Sequence, residues 1–248
     1  MVKKKSKAKA PPKIAKSANA RAKTRPKGRW SRVQFVAVGI DVSLYSISIA
    51  GCARLSDGKM RRAQAIKHAW EKDDDYFTVR MKEAAKPEYF MFDLFSALKV
   101  EPELAQVFIA IEEAVSFGHI QRNAGQAIKQ QIQISGALIG GLLRYGWPNL
   151  FEIQANTWRK VVADDLGITT HHTKWNPTKK EGKFRAKEWV QQFHPKWDGH
   201  WPDMIRSSKR GLIPQPETSK AQPEQSDDRY EALAIMEWMR RQDKEIPF

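Results

Sequence analysis

The sequence predicts an α/β domain in which a mixed five-stranded sheet is flanked by helices. Three consecutive strand-like segments precede the first helical pattern, and two further strand-like segments then alternate with amphipathic helices. That order is typical of a sheet that combines antiparallel and parallel strands. With 248 residues, 41% of them hydrophobic, the chain can bury one sizeable core. We therefore expect one domain over residues 33–248.

A basic segment precedes that domain. Residues 1–32 hold 13 Lys or Arg and no acid, whereas the remainder holds 30 basic and 28 acidic residues. Because it has almost no large apolar side chains, this segment is expected to be a disordered arm that attracts polyanions such as DNA. A solubilising tail or an organelle-targeting peptide would have a similar composition, so both remain alternative readings.

The first three strands are predicted to form an antiparallel meander. Residues 34–40 form a buried strand that ends at Asp41, residues 44–53 form the second strand, and an Asp-Gly turn signal introduces the third. Cys52, the one cysteine of the chain, lies in the second strand. A single cysteine excludes an internal disulfide, and its apolar surroundings indicate a buried, inert thiol.

The middle of the chain alternates helices and strands. A helix is predicted over residues 76–98, with a break or kink at Pro87, and a buried strand follows over residues 106–114. A long helix with small residues on one face covers residues 121–144. The segment NLFEIQA then supplies the fifth strand.

The last third of the sequence is mainly helical with one long insertion. Asn156 is predicted to cap a helix that Gly167 ends, and residues 184–193 form another helix. Residues 194–225 are rich in Pro, Trp and charge without a period, which predicts a long loop or a partly ordered insertion. Ser226 then caps the last helix. With no apolar run of roughly 18 residues and no secretory signal, we expect no membrane partner and a cytoplasmic location in a bacterium or a phage-infected host.

Four acidic residues occupy matching positions on these elements. Asp41 ends the first strand, and Glu112 lies near the end of the fourth. Asp228 and Glu231 share one face at the start of the last helix, although Asp227 could replace Asp228 there. If the first and fourth strands are neighbours and the last helix crosses the sheet, these carboxylates converge. They would repel one another unless cations neutralise them, and hard oxygen ligands favour Mg²⁺ or Mn²⁺.

Such a cluster is suited to phosphodiester hydrolysis. Two ions about 3.5–4 Å apart can clamp the scissile group, with one activating water and the other stabilising the leaving oxygen. Each acid taken singly has an ordinary explanation as a turn cap, a solvated strand end or a complement to a helix dipole. The interpretation therefore depends on all four acids together. Their order on the predicted strands and helix indicates a nuclease.

The same residues carry a family resemblance. In this order, the chain contains the segments VGIDVS, AIEEAV, NAGQAIKQQIQISGALIGGLL and DDRYEALAI. Together they resemble the RuvC-type Holliday junction resolvases, which have the ribonuclease H-like fold. The likeness covers residues 36–167 and resumes over residues 227–240. It implies a homodimer that binds a four-way DNA junction and nicks two opposed strands with Mg²⁺, and it places the long helix at or near the dimer interface.

The resemblance also assigns residues. The positions that match the family's four catalytic, metal-binding acids are Asp41, Glu112, Asp228 and Glu231. Basic residues occur in the family in segments comparable to those of Lys160 and Lys183, and these two with Lys187 are our candidates for nucleic-acid binding. The chain departs from the family in the turn after Asp41, which reads VSLYS where a Pro-Gly pair is usual. Glu231 also stands where the bacterial enzymes have Asp.

Three other functions fit parts of the sequence. A noncatalytic DNA-binding protein of the same fold would use the basic arm for binding and the acids for structure. A flap or replication-fork nuclease would use the same acids on another branched substrate. An actin-like nucleotide-binding protein would also have a GID segment after an apolar strand, but the chain is short for two such lobes.

Overall fold

The computed structural model describes residues 33–44, 46–55, 58–69, 76–101, 106–114, 125–168, 185–199, 204–207, 211–214 and 228–242. Its main sheet has five strands in the order β3-β2-β1-β4-β5. The predicted arm, residues 1–32, lies outside the described residues, as do Ser226 and Asp227.

The first three strands form the predicted antiparallel meander. They are β1 (Val33–Val42), β2 (Ser46–Leu55) and β3 (Gln64–Ala69). The second strand begins two residues later than predicted because Ser43 and Ser46 close the turn between β1 and β2. The Ser43 hydroxyl accepts a hydrogen bond from the Ser46 backbone N–H at 3.0 Å, and the Ser43 N–H donates to the Ser46 carbonyl at 2.9 Å.

The other two strands run parallel to β1. They are β4 (Gln106–Glu112), which pairs with β1, and β5 (Leu150–Ile153), which pairs with β4. β1 is therefore the centre of a mixed sheet, and β1 and β4 end at the same edge. The predicted α/β class with a ribonuclease H-like mixed five-stranded sheet is confirmed by this strand order.

Helices cover both faces of the sheet. They are α1 (Tyr76–Ala84), α2 (Glu88–Leu98), α3 (Gly125–Arg144), α4 (Ala155–Leu166), α5 (Arg185–Phe193) and α6 (Asp228–Arg241). Side chains from α1, α2 and α3 share one buried cluster with one face of β1, whereas side chains from α4, α5 and α6 share a second cluster with the other face. Alternation along the strands produces this division, since successive residues point to opposite sides. Cys52 is buried in the second cluster, as predicted.

The helix boundaries show which local signals were informative. Pro87 separates α1 from α2, as predicted, because its ring cannot continue a helix. Gly167 ends α4 with a left-handed backbone (φ 65°), also as predicted. The predicted cap at Asn156 is wrong, because α4 already begins at Ala155 after Gln154, whose side chain forms no capping hydrogen bond.

The predicted loop insertion contains local structure of its own. Within residues 194–225 the chain forms a two-stranded antiparallel hairpin of β6 (Met204–Ser207) and β7 (Gly211–Pro214), so this segment is not loop throughout. The segment is rich in Pro, Trp and charge and shows no regular apolar pattern, which explains why the sequence did not reveal these two strands. Over the described part of the chain, no helix combines the length and the apolar character needed to cross a membrane.

Candidate metal centre

Asp41 lies near the end of the central strand, on the face covered by α6. It precedes Val42, the last residue of β1, and pairs with Ser48 of β2. Gly39, two residues earlier on the same face, allows α6 to approach, since a Cβ there would overlap backbone atoms of Ala232 and Met236. Only 9% of Asp41 is exposed. The carboxylate is therefore held under the last helix at the edge where β1 and β4 end.

Glu112 is the neighbour of Asp41 across the sheet. The parallel register pairs Ile40 with Ile111. Asp41 and Glu112 are the next residues of the two strands, so both side chains point to the face covered by α6. The indole N–H of Trp158 on α4 donates a hydrogen bond to Glu112 Oε2 at 2.9 Å. Glu113 follows outside β4, and its N–H donates to the Ile153 carbonyl at 2.8 Å. The strand register thus selects Glu112 for the candidate site.

Glu231 completes a cluster of three carboxylates. It lies in the first turn of α6 and is 8% exposed. One carboxylate oxygen from each of Asp41, Glu112 and Glu231 lies within 4.8 Å of those of the other two. Three converging carboxylates from two strands and a helix are a suitable ligand set for a hard divalent cation such as Mg²⁺ or Mn²⁺. Three of the four predicted acids therefore come together.

The fourth predicted acid, Asp228, is placed differently. Its Oδ2 accepts a hydrogen bond from the Ser46 hydroxyl at 2.7 Å and one from the Lys67 ammonium at 2.8 Å. It lies one turn of α6 before Glu231 but is not part of the three-carboxylate cluster. Asp228 therefore borders the cluster, with an ammonium group as its partner.

Sequence reasoning missed Lys67 and Trp158. Lys67 lies on the edge strand β3 opposite Ser48, which in turn pairs with Asp41, so these side chains share one row across the sheet. Trp158 is 4% exposed and reaches the cluster from α4. For each residue, the sequence indicates which face of its strand or helix it occupies. It does not indicate which residue it contacts.

Two of the three predicted nucleic-acid-binding lysines lie on described helices. Lys160 is exposed on α4, and Lys187 is half-buried on α5. Lys183 lies outside the described residues. Neither described lysine is among the residues that form the carboxylate cluster.

An aromatic group lies on the same face of the sheet, between α5 and α6. His194 stacks on Trp197 with ring centroids 3.8 Å apart and meets the edge of Trp189 at 4.7 Å. Burial lowers the pKa of His194. Trp189 is completely buried and Trp197 packs against the core, so both tryptophans have a packing role.

Asp165 on α4 ties this group to the last helix. It accepts hydrogen bonds from the Trp189 indole at 2.8 Å and from the Arg241 guanidinium. The pKa of Asp165 is below its usual value: burial, the largest single influence, raises it, but the hydrogen bonds from Arg241 and Trp189 and the nearby positive charge together outweigh burial. This network fixes α4, α5 and α6 to one another beside the carboxylates.

Comparisons with known proteins gave structural similarities only. No protein-family model and no curated protein match the sequence. The chain is similar to RuvC from Thermus thermophilus at 12% identity and a TM-score of 0.44, over 85% of this chain and 96% of that chain. The same protein in complex with a Holliday junction substrate gives 12% identity and a TM-score of 0.40 with the same coverage. The yeast mitochondrial Holliday junction resolvase Ydc2 gives 10% identity and a TM-score of 0.43, over 88% of this chain and 85% of that chain.

Proposed function

We propose that this protein is a Mg²⁺-dependent, structure-selective DNA endonuclease that resolves four-way junctions. The observation that carries the proposal is the convergence of Asp41, Glu112 and Glu231 from the two central parallel strands and the last helix. Placing three mutually repelling carboxylates under a helix costs stability, and a divalent cation would recover it.

Each residue of the site would have a distinct role in metal binding. Asp41, Glu112 and Glu231 would hold a first ion, and Asp228 would contribute to a second. When bound, Mg²⁺ supplies positive charge that activates water and stabilises the leaving oxygen. Trp158 holds the Glu112 carboxylate in one orientation through its 2.9 Å hydrogen bond. Cleavage then needs no side-chain nucleophile.

Branched DNA is the proposed substrate because of the sequence resemblance to RuvC-type resolvases and the charge of the chain. The formal net charge is +15, and most of the excess lies in residues 1–32. Such a segment binds phosphates without reading sequence, and its contribution to affinity falls steeply with salt. Lys160, Lys183 and Lys187 remain candidates for further phosphate contacts.

A homodimer is the proposed assembly, with α3 at its interface. One stripe of this helix is exposed and consists of small and apolar residues, namely Ile132, Gly136, Gly140 and Leu143. A Cβ added at Gly136 or Gly140 would meet no atom within 4 Å, so a second helix could approach closely here. Two copies would present two carboxylate clusters to the opposed strands of one junction.

Cleavage of a labelled four-way junction tests the proposal. We expect paired symmetric nicks with Mg²⁺, no cleavage with EDTA, and no cleavage by Asp41→Asn, which should still bind the junction. Tight, salt-sensitive binding without cleavage by the wild type would instead support a noncatalytic DNA-binding protein. Flap and fork substrates in the same assay would identify a nuclease of different selectivity.

A further inference from the structure

Lys67 is a buried cation at the border of the carboxylate cluster. Its ammonium lies 2.8 Å from Asp228 Oδ2, and the side chains of Lys67 and Asp228 are 10% and 17% exposed. Ser46 donates to the same oxygen at 2.7 Å. One carboxylate oxygen thus accepts two short hydrogen bonds, one of them from a charged group, which is the stronger kind.

The position of Lys67 follows from the sheet. Asp41, Ser48 and Lys67 are paired across β1, β2 and β3, so they project from the same face. α6 covers that face and brings Asp228 over the edge strand. A lysine stem lying along the sheet under a helix has little freedom, and its ammonium therefore has a fixed location beside the candidate metal centre.

This arrangement places Lys67 and a divalent ion in competition for one ligand. Asp228 Oδ2 cannot coordinate a metal while it accepts both the Lys67 ammonium and the Ser46 hydroxyl. A fixed ammonium also repels a divalent cation nearby, and this repulsion is weakly screened because both side chains are largely buried. At Glu112, by contrast, Oε2 accepts a hydrogen bond from the neutral indole N–H of Trp158.

We infer that Lys67 is a positioning residue that makes the two metal ions bind unequally. The first ion takes Asp41, Glu112 and Glu231, and the second reaches Asp228 Oδ2 only by displacing Lys67. Before the second ion arrives, Lys67 supplies the positive charge that balances Asp228. This inference rests on the proposed function, because it concerns the order of metal binding at the same site.

A Mn²⁺ titration of the full chain, followed by calorimetry and by electron paramagnetic resonance of free Mn²⁺, tests the inference. The wild type is expected to bind one ion tightly and a second weakly. Lys67→Met removes the ammonium and keeps most of the stem, so the weak step should tighten about tenfold or more while the tight step changes by less than about threefold. Lys67→Arg, which keeps the charge, should retain a weak second step.

Two controls keep the result interpretable. Lys82→Met makes the same substitution at an exposed position of α1 and should leave both steps unchanged. Ser46→Ala removes the other donor to Asp228 Oδ2 and should tighten the weak step to a smaller degree, which provides a second test if Lys67→Met does not fold.

The outcomes separate the inference from the proposed function. A second step that appears or tightens in Lys67→Met supports the inference. A weak step that is unchanged or weaker in that variant, or a single ion in both proteins, overturns it while leaving the nuclease proposal intact. If the wild type binds no Mn²⁺, or binds it equally well after Asp41→Asn, the proposed metal centre fails and the inference fails with it.

Discussion

Trp158 donates its indole N–H to Glu112 Oε2 at 2.9 Å, which joins α4 to the carboxyl end of β4. The indole is 4% exposed, and the Arg159 guanidinium lies 5.0 Å from the centre of its ring. A buried donor on a carboxylate lowers the cost of holding that charge among other carboxylates. Trp158 therefore stabilises the candidate metal centre through Glu112, without being a ligand itself.

Trp158→Phe should weaken the metal centre without unfolding the protein. The phenyl ring keeps much of the packing but lacks the N–H, so Glu112 loses its orienting partner. Outer hydrogen bonds of this kind typically change metal affinity by about 10–100-fold. Mn²⁺ titration of the variant measures the effect. Trp189→Phe serves as the control, since it removes a comparable N–H bond to Asp165, and equal losses in both variants would contradict a specific role for Trp158.

Glu231→Gln should stabilise the protein when divalent ions are absent. Replacing one of three clustered carboxylates with a neutral amide relieves repulsion, by about 1 kcal/mol, or an increase in Tm of about 2–4 °C for a domain of this size. The same change should abolish the increase in Tm that Mg²⁺ gives the wild type. Thermal melts in EDTA and in Mg²⁺ test both effects. Glu152→Gln, at an exposed position of β5, should change neither.

Gly39→Ala should be strongly destabilising. The added Cβ would lie 2.8 Å from the Ile235 carbonyl carbon and closer still to backbone atoms of Ala232 and Met236, so α6 must move away from β1. We expect a loss of about 3 kcal/mol or more in the free energy of unfolding. Gly125→Ala, at an open position at the start of α3, should instead change stability by less than about 1 kcal/mol. Urea unfolding of both variants measures the contrast, and equal effects would argue against the close approach of α6.

Acidification should destabilise the fold through His194. Burial lowers the pKa of His194 from its ordinary value of 6.5, and its Nε2 has no hydrogen-bond partner among the described residues. The unfolded chain therefore binds the proton more readily, and stability falls as the pH decreases below about 6.5. The lowered pKa of Asp165 acts at lower pH, below its ordinary value of 3.8.

Comparison with His194→Phe tests this assignment, because a phenyl ring can still stack on Trp197 but cannot be protonated. The decline in Tm between pH 7 and pH 5 should be smaller in the variant. An unchanged decline would assign the acid sensitivity to other groups.

Leu143→Arg should dissociate the proposed dimer. Leu143 is 52% exposed on α3, in line with Ile132 at 48%. An added charge on this stripe would be buried without a partner in a helix-to-helix interface. Sedimentation velocity should show a dimeric wild type and a monomeric variant, and the far-ultraviolet circular dichroism of the two should be the same. Phe193→Arg, on the exposed side of α5, is the matched control and should remain dimeric, whereas a monomeric wild type would refute the assembly.

The sequence was informative about the sheet and about three of the carboxylates. The predicted strand ends placed Asp41 and Glu112 at corresponding positions, and turn and glycine signals placed most element ends within a few residues. The partner of Asp228 was not predictable, because the Lys67 contact joins residues 161 positions apart and depends on the register of an edge strand. Likewise, Trp158 reads from sequence as an apolar helix residue, and only tertiary packing directs its N–H to Glu112.

The hydrogen bond between Ser46 and Asp228 joins residues that are 182 positions apart in the sequence. During synthesis the strands that carry Asp41 and Glu112 leave the ribosome well before α6, and protein synthesis adds about 5–20 residues per second. A nascent chain, or a fragment that has lost its last helix, would therefore contain part of the site without Glu231. If the protein is a nuclease, its activity would begin only after the last helix docks, and incomplete chains would be harmless to the DNA around them.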